Sequence, residues 1–144
     1  MVNKMLIEQR LSFILECYNQ LIGFAEKTRE EFLADKTLIA ATESYLRRIL
    51  ESIFDIGRHI LAKSGRVDLA QEYKGIAKGL GELKVVDQDL SEKLVQMAGY
   101  RNRLVHLYNL VTDEELYHII KNDLGDIRDF IKSVSDYVAI HNLK

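Results

Sequence analysis

An arginine, a histidine and a tyrosine lie close together in residues 101–108, whose sequence is RNRLVHLY. Histidine exchanges protons near neutral pH, which suits general acid or base catalysis. Arginine keeps its charge and presents a planar fork of N–H donors that can bind two phosphate oxygens. Arg101 and His106 are therefore candidates for stabilising charge on a phosphodiester and for moving the proton that strand cleavage requires.

A helix is predicted to carry these residues. Asp89 and Glu92 form a capping-box pattern, and apolar residues at 90, 94, 97, 104 and 107 predict a helix that ends near Val111. On this helix Arg101 and Tyr108 take seam positions where an apolar side chain would normally pack. Because burying an unpaired guanidinium is costly, Arg101 must extend to solvent, pair with an anion or line an open cleft.

An ideal helix does not bring the candidate residues together. At about 100° per residue, Arg101 and Tyr108 lie within ~20° of each other, whereas His106 is ~140° from Arg101. Either the helix distorts or ends between them, or two copies of the segment face each other in a symmetric dimer, which we favour. Asn102, one turn before His106, is a candidate for orienting the imidazole. The alternative is an interhelical salt bridge at Arg101 and a surface position for His106.

The remaining sequence predicts an all-α protein, an up-and-down four-helix bundle with one additional short helix. Amphipathic patterns cover residues 4–26, 35–63, 68–80 and 112–138, with a brief helical turn after Thr28. No strand pattern is present, and such helices can bury their apolar stripes only against one another. We expect a single domain spanning residues 1–144.

Composition limits the classes of function. The net charge of −2 excludes broad electrostatic attraction to nucleic acid, so any RNA site must be locally basic. The candidate cations are Arg47, Arg48, Arg58, Lys63, Arg66, Arg101 and Arg103. No signal-peptide pattern and no membrane-length apolar run are found, which predicts a cytoplasmic protein without membrane contact. The single cysteine, Cys17, lies in an apolar helical pattern and is expected to be a packed core thiol.

Residues 101–108 resemble the motif of HepT-type proteins of the HEPN superfamily: an arginine, four intervening residues, a histidine, any residue and a tyrosine. Residues 32–59 are similar to the second helix of that family, and the chain length and helix order agree as well. The resemblance covers nearly the whole chain.

The resemblance implies a HEPN fold and the toxin of a type VII toxin–antitoxin system, a metal-independent RNA endonuclease without a cofactor. It also implies a homodimer with the motif at the interface, catalysis by Arg101 and His106, and an RNA substrate, with tRNA as one candidate. The implied partner is an MntA-like minimal nucleotidyltransferase antitoxin. That antitoxin would attach AMP to the tyrosine that corresponds to Tyr108, where bulk and negative charge would block RNA. Tyr108 is also a candidate for positioning the RNA substrate by stacking or hydrogen bonding.

Two alternatives remain at this point. The first is a non-catalytic HEPN dimer that binds a nucleotidyltransferase partner and holds nucleotide or RNA without cutting it. The second is a di-iron bundle, because Glu115 and His118 have the carboxylate-x-x-histidine spacing of such proteins. That spacing occurs only once, and Glu115 is expected to cap the last helix together with Thr112, so no metal site is predicted.

Overall fold

The structure is a computed structural model that describes residues 2–106 and 111–141. In chain order the helices are α1 (Lys4–Phe24), α2 (Arg29–Leu33), α3 (Lys36–Lys63), a 3-10 turn (Leu69–Gln71), α4 (Tyr73–Glu82), α5 (Gln88–Val105), α6 (Asp113–Asn122) and α7 (Leu124–His141). Over these two ranges no strand is present, which confirms the all-α prediction. Within the same ranges, no helix has the length and apolar character needed to cross a membrane.

The four long helices form the frame of the molecule. α1 packs against α3 and α7, and α5 packs against the same two helices, so the four close into a ring as in a four-helix bundle. The short α2 lies against α3 and α6, and α4 lies against α3 and α5. Buried apolar side chains from all seven helices meet in one core. Cys17 is part of that core, as predicted, and burial raises the pKa of its thiol.

Several helix ends agree with the sequence patterns. Thr28 and Glu31 form a complete capping box at the start of α2, and Asp35 caps α3 by accepting a hydrogen bond from the backbone N–H of Leu38. Gly65 follows the end of α3 with a φ of +79°, a left-handed conformation that favours glycine. These local signals depend on a few neighbouring residues, which is why the sequence alone could locate them.

The predicted bounds of the two middle helices were wrong. The Asp87 carboxylate accepts a hydrogen bond from the backbone N–H of Leu90, so α5 begins at Gln88 and Asp89 lies inside its first turn. α5 also ends at Val105 rather than near Val111. The helix predicted from residue 68 begins only at Tyr73, after the 3-10 turn.

The predicted last helix is two helices, separated at Asp123. The Asn122 side chain donates a hydrogen bond of 2.9 Å to the backbone oxygen of His118, near the end of α6. Asparagine and aspartate side chains compete in this way with helical backbone bonds, and Asp123 then ends α6. The apolar pattern continues across the break, so it could not reveal it.

Gly57 lets α4 lie close to α3. A Cβ atom built at Gly57 would lie 2.5 Å from Cγ2 of Ile76, which is closer than real side-chain contacts allow. The absence of a side chain at this position therefore sets the distance between the two helices. Tyr73, the first residue of α4, is held beside α3 as a result.

Candidate active site

Arg101 lies on α5 and points toward α3. Its Nε donates a hydrogen bond of 2.7 Å to Oε1 of Glu51, and its side chain is only 18% exposed. Of the three possibilities that the sequence allowed, pairing with an anion is therefore the one found. A charge-assisted bond of this kind compensates for much of the cost of partial burial.

An aromatic ring covers one face of the same guanidinium. Cζ of Arg101 lies 4.0 Å from the centroid of the Tyr73 ring, well within cation–π range. That ring packs against Phe54 of α3 in a nearly perpendicular arrangement, with the centroids 5.1 Å apart and the planes at 87°. On the α5 side, Nη1 of Arg101 donates to Oδ1 of Asn102 at 3.3 Å. Arg101 is thus held from three helices.

More charged side chains surround Arg101 and Tyr73. Arg58 lies 5.6 Å from the Tyr73 centroid and donates a hydrogen bond of 3.0 Å to Asp55, which also lies 3.6 Å from Arg10. Together these residues form a charged cluster, whose members are Arg10, Arg58, Arg101, Glu51 and Asp55. The cluster has one more cationic than anionic side chain. A local excess of positive charge is what an RNA-binding site requires in a chain whose net charge is negative.

His106 lies directly after the last residue of α5. Its backbone is extended (φ −88°, ψ 114°), its N–H donates a hydrogen bond of 3.1 Å to the backbone oxygen of Asn102, and the residue is exposed. The helix thus ends between Arg101 and His106, but this end alone does not bring the two side chains together. His106 keeps the helical hydrogen bond to Asn102 and a φ close to the helical value, so its side chain leaves the chain near the ideal-helix direction, ~140° from that of Arg101.

The predicted roles of the remaining site residues, Tyr108 and Asn102, depend on a complete site, of which one chain shows only part. Tyr108 lies outside the described residues. The Asn102 side chain contacts Arg101, so its proposed role toward the His106 imidazole stays a prediction. Within one chain, the interhelical ion pair of Arg101 and the surface position of His106 also agree with the non-catalytic alternative.

Arg103 and Glu115 form a second ion pair, which joins α5 to α6. Nη1 of Arg103 donates to Oε1 of Glu115 at 2.9 Å, and Nη2 donates to Oε2 of the same carboxylate. These hydrogen bonds are the main reason that the pKa of Arg103 is raised. The guanidinium also lies 5.4 Å from the centroid of the Tyr100 ring. The pair fixes the two helix ends on either side of residues 106–112.

This pair corrects the expected role of Glu115. The backbone N–H of Glu115 does donate to Oγ1 of Thr112 at 3.1 Å, but its carboxylate bonds Arg103 instead of completing a capping box. Glu115 is therefore already in use by a cation, which weighs against the di-iron alternative. Among residues 2–106 and 111–141, no group of three histidine, cysteine or acidic side chains is placed to hold a metal ion.

Sequence reasoning missed Glu51, Tyr73 and the role of Glu115. A signal existed for Glu51, because Glu51 and Asp55 are the two charged residues within the largely apolar run from Ile49 to Ile56. An anion in such a run suggests a partner for the cation that interrupts the seam of α5. Tyr73 gave no comparable signal, since a tyrosine at a helix start is ordinary.

Comparison with known proteins agrees with the fold and with the family resemblance. The family model described as ribonuclease HepT-like matches residues 14–134, well over half of the chain. The chain belongs to the HepT-like ribonuclease family. Two curated HepT-like relatives are a tRNA nuclease HepT from Aphanizomenon flos-aquae, 23% identical over 95% of this chain and 92% of its own, and an mRNA nuclease HepT from Shewanella oneidensis, 25% identical over 88% and 93%.

Two solved structures share the fold of this chain. A tri-AMPylated HEPN toxin of Shewanella oneidensis, in complex with an MNT antitoxin, aligns with a TM-score of 0.81 and 25% identity, covering 93% of this chain and 98% of the toxin. The cytosolic protein YutE of Bacillus subtilis aligns with a TM-score of 0.78 and 22% identity, covering 98% and 94%. The HEPN fold implied by the sequence motif is thereby confirmed.

Proposed function

We propose that this chain is the RNA endonuclease toxin of a type VII toxin–antitoxin system, and that it cuts RNA without a metal ion. The observation that carries the proposal is the fixed orientation of Arg101, whose guanidinium is bonded to Glu51 and stacked on Tyr73. α5 ends within the next turn, which leaves His106 exposed to substrate. The family and the nuclease names of the two curated relatives support the reaction class.

The chemistry needs only these two kinds of side chain, because RNA carries its own nucleophile. The 2′-oxygen loses its proton and attacks the adjacent phosphorus, the bond to the 5′-oxygen breaks, and that oxygen takes up a proton. His106 serves as the general acid or base. Arg101 stabilises the negative charge that develops on the phosphate oxygens, a role for which its permanent charge is suited.

Two copies of the chain would build the complete site. In a symmetric dimer each surface patch meets its own copy, so His106 of one subunit would approach the Arg101 region of the other. The exposed position of His106 at the end of α5 is compatible with such an approach. This proposal explains why a residue with catalytic chemistry lies on the surface of the single chain.

The proposed partner is an MntA-like minimal nucleotidyltransferase. The S. oneidensis toxin is described as tri-AMPylated and in complex with its antitoxin. We assign Tyr108 as the acceptor of AMP in this chain, two residues after His106. An AMP group there would add negative charge next to the position of the substrate phosphate, and repulsion would exclude RNA.

The second candidate is a non-catalytic HEPN dimer that binds a nucleotidyltransferase and nucleotide or RNA. It is favoured by the ion pair that Arg101 makes within one chain. A scaffold of this kind would bind RNA, and the bound RNA would remain uncut after incubation.

A cleavage assay with purified protein separates the two. Single-stranded RNA and tRNA are incubated with the protein in excess EDTA, and the products are resolved on denaturing gels. We expect cleavage of RNA, and we expect His106→Ala to lower the rate by about 100-fold or more, as is typical for the loss of a general acid or base. The matched control is His118→Ala, an exposed histidine on α6, which should cleave like wild type.

Two results would overturn the proposal. Uncut RNA with the wild-type protein, with or without added divalent metal, would leave the binding scaffold as the function. Equal cleavage by His106→Ala and wild type would remove His106 from the reaction. Circular dichroism of each variant checks that the helices are intact.

A further inference from the structure

We propose that Tyr73 and Glu51 are positioning residues that fix the guanidinium plane of Arg101 for catalysis. The inference rests on the proposed ribonuclease function and deepens it. Neither residue belongs to the motif at 101–108: Glu51 comes from α3 and Tyr73 from the start of α4. The fold, rather than the motif itself, would then determine where Arg101 points.

The two contacts restrain different motions of the same group. The hydrogen bond of 2.7 Å from Nε to Glu51 lies in the guanidinium plane and fixes its direction. The Tyr73 ring, 4.0 Å from Cζ, lies against one face and prevents the plane from turning. An arginine without such contacts samples many rotamers, and ordering it has an entropic cost. Arg101 meets that cost on folding, before substrate arrives.

These contacts still leave donors for a phosphate. A guanidinium has five N–H donors, and the contacts with the described residues account for two of them, at Nε and Nη1. The bond to Glu51 therefore restrains the guanidinium without occupying all the donors that could bind a phosphate. Arg103 also uses two donors, but these are at its two Nη nitrogens and both go to one carboxylate, so the fork that would bind a phosphate is already occupied.

Packing against α3 holds Tyr73 in turn. Its ring packs perpendicular to Phe54, which is fully buried, and the close approach of α4 to α3 at Gly57 holds the two helices together. The Tyr73 ring is thus partly buried and packs directly against the core. A ring with this support transmits little motion to Arg101.

Neutralising Glu51 distinguishes a positioning role from a role in substrate binding, because the two roles predict different changes in kcat and KM. Removing a carboxylate from a cluster that contains Arg10, Arg58 and Arg101 increases its attraction for RNA, so Glu51→Gln should keep or lower KM. Misplacing the guanidinium should lower kcat, because a displacement on the order of 1 Å costs up to about 100-fold. A purely structural role would not separate the two constants in this way.

The test measures kcat and KM on one RNA for Tyr73→Leu, Tyr73→Phe and Glu51→Gln. We expect Tyr73→Leu and Glu51→Gln to lower kcat by about 10- to 100-fold with KM equal to or below that of wild type. Tyr73→Phe keeps the ring and should recover most of the rate lost in Tyr73→Leu. The matched controls are Glu43→Gln on the same helix and Tyr137→Leu on α7, both at partly exposed positions.

Double variants test whether the effect passes through Arg101. In an Arg101→Ala background, Tyr73→Leu and Glu51→Gln should each change the residual rate by less than about threefold, because the group they position is gone. A full additional loss in that background would show that they act elsewhere and would overturn the inference.

The failure of this inference differs from the failure of the proposed function. If wild type cleaves RNA, Arg101→Ala does not, and both Glu51→Gln and Tyr73→Leu match wild type, the function stands and the positioning role is wrong. If wild type does not cleave RNA, the function itself is wrong. Should Tyr73→Leu lose its helical signal, Glu51→Gln and its double variant with Arg101→Ala still decide the question.

Discussion

Arg101 and Arg103 lie two residues apart on α5, yet the structure uses them in different ways. Arg103 gives both Nη nitrogens to the Glu115 carboxylate and joins α5 to α6. Arg101 is bonded at Nε, is stacked on Tyr73 and is the less exposed of the two, at 18% against 39%. Under the proposed function Arg101 is catalytic and Arg103 is structural. Their charge and sequence position are alike, and what differs is the geometry of their partners.

The difference follows from the direction of each side chain on the helix. Two residues correspond to about 200° of rotation, so the two guanidinium groups leave α5 on nearly opposite sides. One side faces α3 and α4, and the other faces α6. The sequence placed both arginines among the candidate cations for RNA, and the ion pair with Glu115 assigns Arg103 instead to the connection between helices.

Replacing each arginine by alanine should separate activity from stability, and this is the largest effect expected from the comparison. Arg101→Ala should lower the cleavage rate by about 100-fold or more, the usual result of removing a group that stabilises transition-state charge. Arg103→Ala should lower the unfolding free energy by about 1 kcal/mol, since screening reduces the value of a partly exposed pair. Cleavage rates and thermal melting curves measure the two outcomes.

Glu115→Gln is the control for that experiment, because it weakens the same pair and keeps both arginines. It should lower the melting temperature as Arg103→Ala does. A large loss of cleavage in Arg103→Ala, together with wild-type cleavage in Arg101→Ala, would reverse the roles assigned to the two residues.

A smaller effect concerns His59, a structural polar contact on α3. The backbone N–H of Asn3 donates a hydrogen bond of 2.9 Å to Nε2 of His59, which requires a neutral imidazole. Burial lowers the pKa of His59, with Lys63 and Arg10 adding to the effect. The unfolded chain therefore takes up a proton at a higher pH than the folded chain does. The contribution of His59 to the unfolding free energy should be fully present above the ordinary histidine pKa, about 6.5, and should decline as the pH falls below it.

Thermal melting of wild type and His59→Gln between about pH 7.5 and 5 measures this contribution. We expect the decline toward low pH to be smaller in the variant, by about 0.5–1.5 kcal/mol, the typical value of one hydrogen bond. His118→Gln, an exposed histidine, is the matched control. Identical pH profiles for wild type and His59→Gln would show that this contact does not contribute to stability.

Much of the fold could be predicted from the sequence because its signals are local. The start of α3 at Asp35 and its end before Gly65 depend on side chains within one turn of the helix. The break at Asp123 was not predictable from periodicity, since the apolar positions continue from Ile120 to Ile127. The end of α5 was missed for a similar reason, because apolar residues follow Val105.

The site was predictable only in its motif. Arg101 had to find an anion, a cleft or solvent, but its partner Glu51 lies 50 residues earlier, and the sequence gives no distance between them. Tyr73 was harder still, because its position depends on how closely α4 approaches α3 at Gly57. Contacts between distant segments follow from packing, which a single sequence does not specify.

The central claim is that Arg101 of one copy and His106 of another act on the same phosphodiester. Differently tagged Arg101→Ala and His106→Ala chains can be co-expressed, purified through both tags as mixed dimers, and tested for RNA cleavage. We predict that each variant alone is inactive and that the mixed dimer cleaves RNA at a measurable fraction of the wild-type rate. Mixed dimers that form but remain as inactive as their parents would contradict a site shared between two copies.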